Sequence, residues 1–327
     1  MNRALVLGAG GFIGSHMVKR LKSEGYYVVG ADIKYPEFTE TQADVFFICD
    51  LTDKLAFDEI FINEKFFDEI YQYAADMGGA GFIFTGDNDA KIMHSSISIN
   101  LNLLSLIETH YDSLERLKVF YSSSACIYPQ QIQESSNNPG LKENYAYPAN
   151  PDSEYGWEKL FSERLYQAFN KNFGLNTRIA RFHNIYGPEG TWDGGKEKVP
   201  AAVCRKIAYA SKNDEIEIWG DGEQTRSFLY IDDCIEATRR LMNSTHLSPI
   251  NIGSEEMVSI NELVAIVSKI SNKSIKIKHV DGPLGVRGRN SDNELIKKIL
   301  DWDYKYTLEE GITETYLWIE KQIVNQD

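Results

Sequence analysis

Tyr155 and Lys159 are four residues apart near the start of a segment with helical apolar spacing, Glu154 to Asn172. A helix there puts both side chains on one face. A phenol beside an ammonium is a proton-exchange device, because the cation favours the phenolate and lowers a pKa that is otherwise about 10. The expectation is a Tyr155 oxygen that takes and returns the proton of a substrate hydroxyl near neutral pH. Upstream, Val119 to Ser122 reads as a buried strand running out into Ser123, Ser124, Ala125 and Cys126. Ser124 can hold the same hydroxyl. Exposed helices carry a Tyr-x-x-x-Lys spacing by chance, so its weight comes from what precedes it in the chain.

What precedes it is a nucleotide fingerprint. Ala4 to Leu7 is a short apolar strand, followed by Gly8-Ala-Gly-Gly-Phe-Ile-Gly14 and an amphipathic helix, Ser15 to Ser23. Glycines at 8, 11 and 14 let the backbone turn tightly, approach a pyrophosphate and pack helix on strand. Phe12 and Ile13 belong to the same turn. A second strand, Tyr26 to Gly30, leads to Asp32, where a carboxylate can accept from an adenine ribose hydroxyl. That charge repels a 2′-phosphate, so NAD is expected in preference to NADP. Alternation continues with a strand at Val45 to Cys49, a helix at Ala56 to Asn63 and a strand at Glu69 to Ala74. Asp50, Leu51 and Ala74 then fall at the carboxyl edge, where cofactors sit in open parallel sheets. The predicted class is α/β, a doubly wound parallel sheet (Rossmann) with a smaller mixed α/β C-terminal domain for the substrate. Residues 1–182, rejoined by about 222–252, form the first domain; 183–221 and 253–327 form the second.

The remaining segments are less regular. Ala80 to Asp89 reads as an irregular loop able to cover the site, and Met93 to Tyr111 as a long helix. That helix and Glu154 to Asn172 form a pair that is either core or a dimer face. After a strand at Thr177 to Phe182, loops and aromatics take over. Pro200 to Ala210 reads as a helix, Glu215 to Trp219 as a strand and Gln224 to Asp232 as a strand running to a helix cap. Ser259 with Glu262, and Thr307 with Glu310, have the form of capping boxes. Arg287 lies in a glycine-flanked loop, and an arginine fork suits phosphate.

Composition sets limits on partners. The chain has 327 residues, 43% of them hydrophobic, and a formal charge of −14. Nucleic acid needs a basic face and is excluded as a bulk partner, whereas an anionic nucleotide-sugar requires only a local basic cluster. No apolar run approaches the ~20 residues of a membrane span, and the N-terminus leads straight into a strand. Four cysteines make no disulfide framework, so a cytoplasmic location is expected. No metal is expected.

Taken together, GAGGFIGSH from Gly8, AADMGG from Ala74, SSACIYP from Ser123, the Tyr155/Lys159 pair, RFHNIYGP from Arg181, GGKEK from Gly194, WGDGEQTRSF from Trp219 and GVRGRNSDN from Gly285 span nearly the whole sequence. On these segments the chain resembles the extended short-chain dehydrogenase/reductases, within them the GDP-mannose 3,5-epimerase family. The resemblance implies bound NAD, a GDP-sugar substrate (GDP-mannose), a homodimer, and active-site residues Ser124, Cys126, Tyr155, Lys159 and Lys198. It implies substrate contacts at Gly78, Ala125, Asn184, Glu197, Lys206, Gly222, Glu223, Gln224 and Arg287. Two departures stand near the sugar: Ala80 replaces a bulkier residue of the plant members, and the loop Phe84 to Asp89 is longer.

The chemistry follows independently of the name. Oxidising a sugar C4 hydroxyl to a ketone acidifies the protons on C3 and C5. Inverting either carbon needs a base on one face of the ring and an acid on the other. Cys126, two residues beyond Ser124, reaches the same pocket, and a thiol of pKa about 8.5, readily lowered by cations, can serve as the base. Lys196 competes with Lys198 for the opposite face, and only the resemblance separates them. A 4,6-dehydratase needs a carboxylate where Ala125 and Cys126 stand. A 4-epimerase needs no thiol and lysine, and a nucleotide sensor needs no Tyr155/Lys159 pair.

Overall fold

The computed structural model describes residues 1–325. Its first part alternates strand and helix: β1 (Arg3–Leu7), α1 (Phe12–Ser23), β2 (Tyr27–Asp32), β3 (Val45–Ile48), α2 (Lys54–Glu64), β4 (Glu69–Gln72), α3 (Ala80–Ile83), α4 (Asp89–His110), β5 (Lys118–Ser124), α5 (Glu154–Phe173) and β6 (Asn176–Phe182). The second part comprises β7 (Ile185–Tyr186), α6 (Val199–Tyr209), β8 (Glu215–Trp219), β9 (Thr225–Ser227), β10 (Leu229–Tyr230), α7 (Ile231–Asn243) and β11 (Ile250–Ile252). It ends with β12 (Met257–Ser259), α8 (Ile260–Ser271), β13 (Lys276–Val280), β14 (Gly288–Arg289), α9 (Glu294–Leu300) and α10 (Leu308–Val324).

Seven strands form one sheet in the order β11-β6-β5-β4-β1-β2-β3, and every pairing is parallel. The sheet is Rossmann-like, as the alternating pattern predicts. Ala4, Leu5, Val6 and Leu7 are wholly buried because helices cover both faces of a parallel sheet. Strand order reverses between β1 and β4, and this switch point opens the crevice at the carboxyl edge where ligands bind in such sheets. Outside it, β8 pairs with β13, and β9 lies between β12 and β14.

Several predicted elements change at their ends. The first helix starts at Phe12, three residues earlier than its apolar period indicates, because Gly11 takes the N-cap position without a side-chain bond. The strand beginning at Glu69 stops at Gln72. The run from Ala80 contains a helical turn, and 224–232 divides into two short strands before α7. Both capping boxes form, at Ser259 and Thr307.

Candidate active site

The turn between β1 and α1 builds the first half of the site. Gly8 has φ +83°, and a Cβ on Gly14 would lie 2.1 Å from the Gly8 carbonyl oxygen, so only glycine lets α1 settle on the turn. No side chain caps α1 and no acid stands in its first turn, which leaves its positive end directed at the crevice. The Asp32 carboxylate accepts from Gly10 N (3.0 Å) and Lys34 N (3.3 Å), and burial holds its pKa up. Gly10, Gly11, Phe12, Ser15, Lys34 and Thr39 line the cleft between them. An uncapped helix end for a pyrophosphate and a carboxylate at the tip of β2 for a ribose together fit NAD. Asp50 follows β3 and accepts from Thr52 N and Oγ1 (2.9 and 2.7 Å), and the Leu51 carbonyl accepts from Asn102 Nδ2. Ala74 N, beyond β4, donates to Gln72 Oε1.

The expected catalytic residues come from β5 and α5. Ser124 ends the strand, and its Oγ accepts from Cys126 N (3.2 Å), starting a single 3-10 turn, Ala125–Ile127. Ser153 caps α5 by accepting from Gly156 N (3.3 Å). A Cβ on Gly156 would lie 2.2 Å from the Cys126 carbonyl oxygen, so the helix rests directly on that turn. Cys126 and Tyr155 therefore share a small cluster with Ile83 and Ile92. Lys159 Nζ donates to the Ser122 carbonyl (3.0 Å) and lies 5.7 Å from the Tyr155 ring centroid.

The expected lowering of the tyrosine pKa is not what these surroundings produce. Burial pushes Tyr155 well above its ordinary value, the nearby Cys126 and Glu158 add to this, and Ser124 and Arg289 only partly offset it. Burial likewise pulls Lys159 down. Helical spacing does put the two on one face, but both are almost wholly buried, at 5% and 3% exposure. The ammonium is also bonded to a carbonyl, so desolvation outweighs the cation.

Around the thiol stands a residue the sequence reading passed over. Arg289 is 4% exposed and donates from Nη1 to Cys126 Sγ (3.0 Å), from Nη2 to Asp152 Oδ2 (2.6 Å) and from Nε to Gln133 Oε1 (2.6 Å). Arg287, the expected phosphate ligand, makes a bidentate pair with Asp221 at the surface (2.7 and 2.8 Å). Two arginines two positions apart in a loop look alike in sequence; only the start of β14 at Gly288 turns the second inward.

The two candidate lysines separate clearly. Lys196 is exposed, pairs with Asp76 (3.2 Å) beside Lys91, and covers the Phe82 ring at 4.1 Å. Lys198 is half-buried at the N-cap of α6; burial lowers its pKa, and the thiols of Cys126 and Cys234 oppose this. Of the two, Lys198 is the one drawn out of solvent. The strap carrying both lysines docks through Gly79, whose added Cβ would lie 2.3 Å from the Glu197 carbonyl oxygen.

Other expected substrate contacts are already engaged within the protein. The Glu197 carboxylate accepts from Arg205 Nη2 and Gly195 N, both at 2.7 Å, so it braces its own loop. Lys206 Nζ donates to the Glu217 carbonyl (2.5 Å), and the Asn184 amide donates to the Ser227 carbonyl (2.9 Å). Glu223 accepts from Asn261 Nδ2 (2.7 Å), and that same side chain closes on Gly222. Gln224 keeps a buried Oε1 without a partner among the described residues. Gly78 stands against Phe82, where a Cβ would meet its side chain at 2.9 Å.

Comparison with known proteins agrees with this geometry. Residues 4–253 match the model of the NAD dependent epimerase/dehydratase family. The chain is 47% identical to the GDP-mannose 3,5-epimerase of Arabidopsis thaliana over 322 residues, covering 97% of this chain and 82% of that protein. It is 46% identical to GDP-mannose 3,5-epimerase 1 of Oryza sativa subsp. japonica, with 98% and 82% covered. Among solved structures, UDP-glucuronic acid 4-epimerase from Bacillus cereus, in complex with UDP-glucuronic acid and NAD, superposes with a TM-score of 0.80. It is 26% identical, with 98% of this chain and 99% of that one covered. With a dinucleotide cradle, a buried Tyr155/Lys159 pair and these relatives, the chain belongs to the NAD dependent epimerase/dehydratase family.

Proposed function

We propose that the protein epimerises C3 and C5 of a GDP-hexose, converting GDP-mannose to GDP-L-galactose, GDP-L-gulose or both, through a transient 4-keto sugar. The observation that carries this reading is Cys126, packed in one cluster with Tyr155 and bonded through its sulfur to Arg289 (3.0 Å), a placed thiol that a simple 4-epimerase does not need. The Gly8–Gly14 turn and Asp32 would hold NAD⁺, which when bound would supply the hydride acceptor. Ser124 orients the C4 hydroxyl, and Tyr155 takes its proton and later returns it. Cys126, oriented by Arg289, removes a proton from one face of the ring, and Lys198 delivers one to the other. Burial keeps Lys198 easier to deprotonate than a surface lysine, which suits a group that must exchange protons near neutrality.

Incubation with GDP-mannose in heavy water, followed by NMR of the product, tests the reading. Deuterium is expected at C3 and C5 and not at C4, whose hydrogen travels as hydride. A product without deuterium would mark a 4-epimerase, and label at C6 a dehydratase; either outcome sinks the proposal.

Two coarser aspects accompany it. Leu101 on α4, with Trp157 and Phe161 on α5, is 40–47% exposed, which supports a homodimer through these helices and is tested by sedimentation. All four cysteines are free, which accords with a cytoplasmic setting, and fractionation of cells tests it. No helix among the described residues is long and apolar enough to cross a membrane.

A further inference from the structure

The two groups assigned to opposite faces of the sugar come from distant parts of the chain. Cys126 follows β5, in the 3-10 turn Ala125–Ile127, whereas Lys198 ends a strap, residues 191–198, that forms neither helix nor strand. Such a strap needs something outside itself to fix where its lysine stands. The turn α3 provides it. Gly79 N donates to the Lys196 carbonyl (3.0 Å), and the Glu197 carbonyl lies so close that a Cβ on Gly79 would stand 2.3 Å from its oxygen. Gly79 has φ −72°, a value open to any residue, so this glycine serves closeness and not backbone freedom. The pair that Lys196 makes with Asp76 is exposed and adds little to the docking.

One turn on, Ile83 N donates to the Gly79 carbonyl (3.2 Å), which ties the two ends of α3 together. Ile83 is 7% exposed and belongs to the apolar cluster that holds Cys126, Tyr155 and Ile92. The strap is thus seated at one end of a single helical turn, and the thiol is packed at the other. We infer that α3 is a spacer between the two acid/base groups, and that Gly79 and Ile83 are positioning residues for inversion. The inference rests on Cys126 and Lys198 being the pair proposed above. Spacing matters because a base and an acid must each come within about 3–3.5 Å of the ring from opposite sides, and a misplacement of ~1 Å can cost about a hundredfold.

Gly79→Ala tests the spacer. The added Cβ has to displace the Glu197 carbonyl by about 1 Å to reach ordinary contact, and Lys198 is the next residue. The whole protein is mixed with NAD⁺ and saturating GDP-mannose in heavy water, and bound NADH, deuterium content and inversion are read separately. Bound NADH should form at the wild-type rate, because Tyr155 and Lys159 lie on α5. Inversion should fall about a hundredfold. Deuterium should still enter recovered GDP-mannose, since Cys126 can take and return a proton on its own face. Gly81→Ala, on the same turn, meets only the tip of the Trp219 ring (3.3 Å) and should invert at the wild-type rate. Should Gly79→Ala fail to fold, Ile83→Val loosens the other end of the turn and should slow exchange and inversion together, with bound NADH still forming. A folded Gly79→Ala protein that inverts normally, or that loses NADH formation along with inversion, overturns the inference. An equal loss in Gly81→Ala, or unaltered exchange in Ile83→Val, does the same. A wild-type protein that forms no NADH and takes up no deuterium overturns the parent reading instead.

Discussion

Replacing Arg289 with methionine separates what that residue does for the fold from what it does for the thiol. The guanidinium is the cation bonded to Asp152, whose side chain is 3% exposed. Removing it strands a buried carboxylate, at a cost of about 3–5 kcal/mol in stability. The same change takes from Cys126 a charged hydrogen-bond donor, worth about 1.5–3 kcal/mol, or roughly ten- to a hundred-fold in steps that use the sulfur. Adding Asp152→Leu removes the stranded charge and should restore most of the urea midpoint. It does nothing for the thiol. The double variant is therefore expected to be nearly as stable as wild type, to accumulate bound NADH on mixing with GDP-mannose, and to exchange C3 and C5 protons slowly by NMR in heavy water. A double variant with both wild-type stability and wild-type exchange would refute the assignment of Arg289 to the thiol.

The other expectations concern single groups. Lys198→Ala should suppress inversion by about 10²–10⁴-fold, whereas Lys196→Ala, which loses an exposed pair with Asp76, should leave inversion near the wild-type rate; the reverse pattern would exchange their proposed roles. Burial pushes His183 down to about 3, and its bond to Asn251 Oδ1 (3.0 Å) only partly opposes this. The unfolded chain takes up that proton near pH 6.5 and the folded chain does not until about pH 3, so stability falls as pH drops through this window. His183 alone should remove about 3 kcal/mol between pH 6.5 and 4. Urea titrations of wild type and His183→Gln across that range should diverge by this amount, and parallel curves would place the ring in water.

The parallel sheet was readable because its strands are short apolar runs separated by amphipathic helices, a pattern set by burial on both faces. The cradle was readable because a glycine turn followed by a helix and an acid leaves few geometric choices. Less visible were features decided by tertiary contact. The first helix begins at Phe12 because a helix end facing the crevice needs no side-chain cap. Arg287 and Arg289 differ only in which one β14 turns inward. The pKa of Tyr155 could not be foreseen from its spacing to Lys159, since spacing reports a shared face and says nothing of how completely that face is buried. Glu158 reads on paper as one more charged helix residue, and only its complete burial, with Ser162 one turn on donating to it, reveals it as enclosed.

Gly156 carries a consequence for how a reaction of several steps could proceed. With no side chain there, the first turn of α5 lies against the Cys126 carbonyl, and no hinge separates Tyr155 from the thiol. A sugar whose C4 is served by one and whose neighbouring carbons are served by the other would have no need to turn over between events. The ring becomes the stationary part. The sequence of proton and hydride movements would then be set by the changing acidity of its carbons, and the protein would act as a fixed frame, so that any residue larger than glycine at 156 would disturb every step at once.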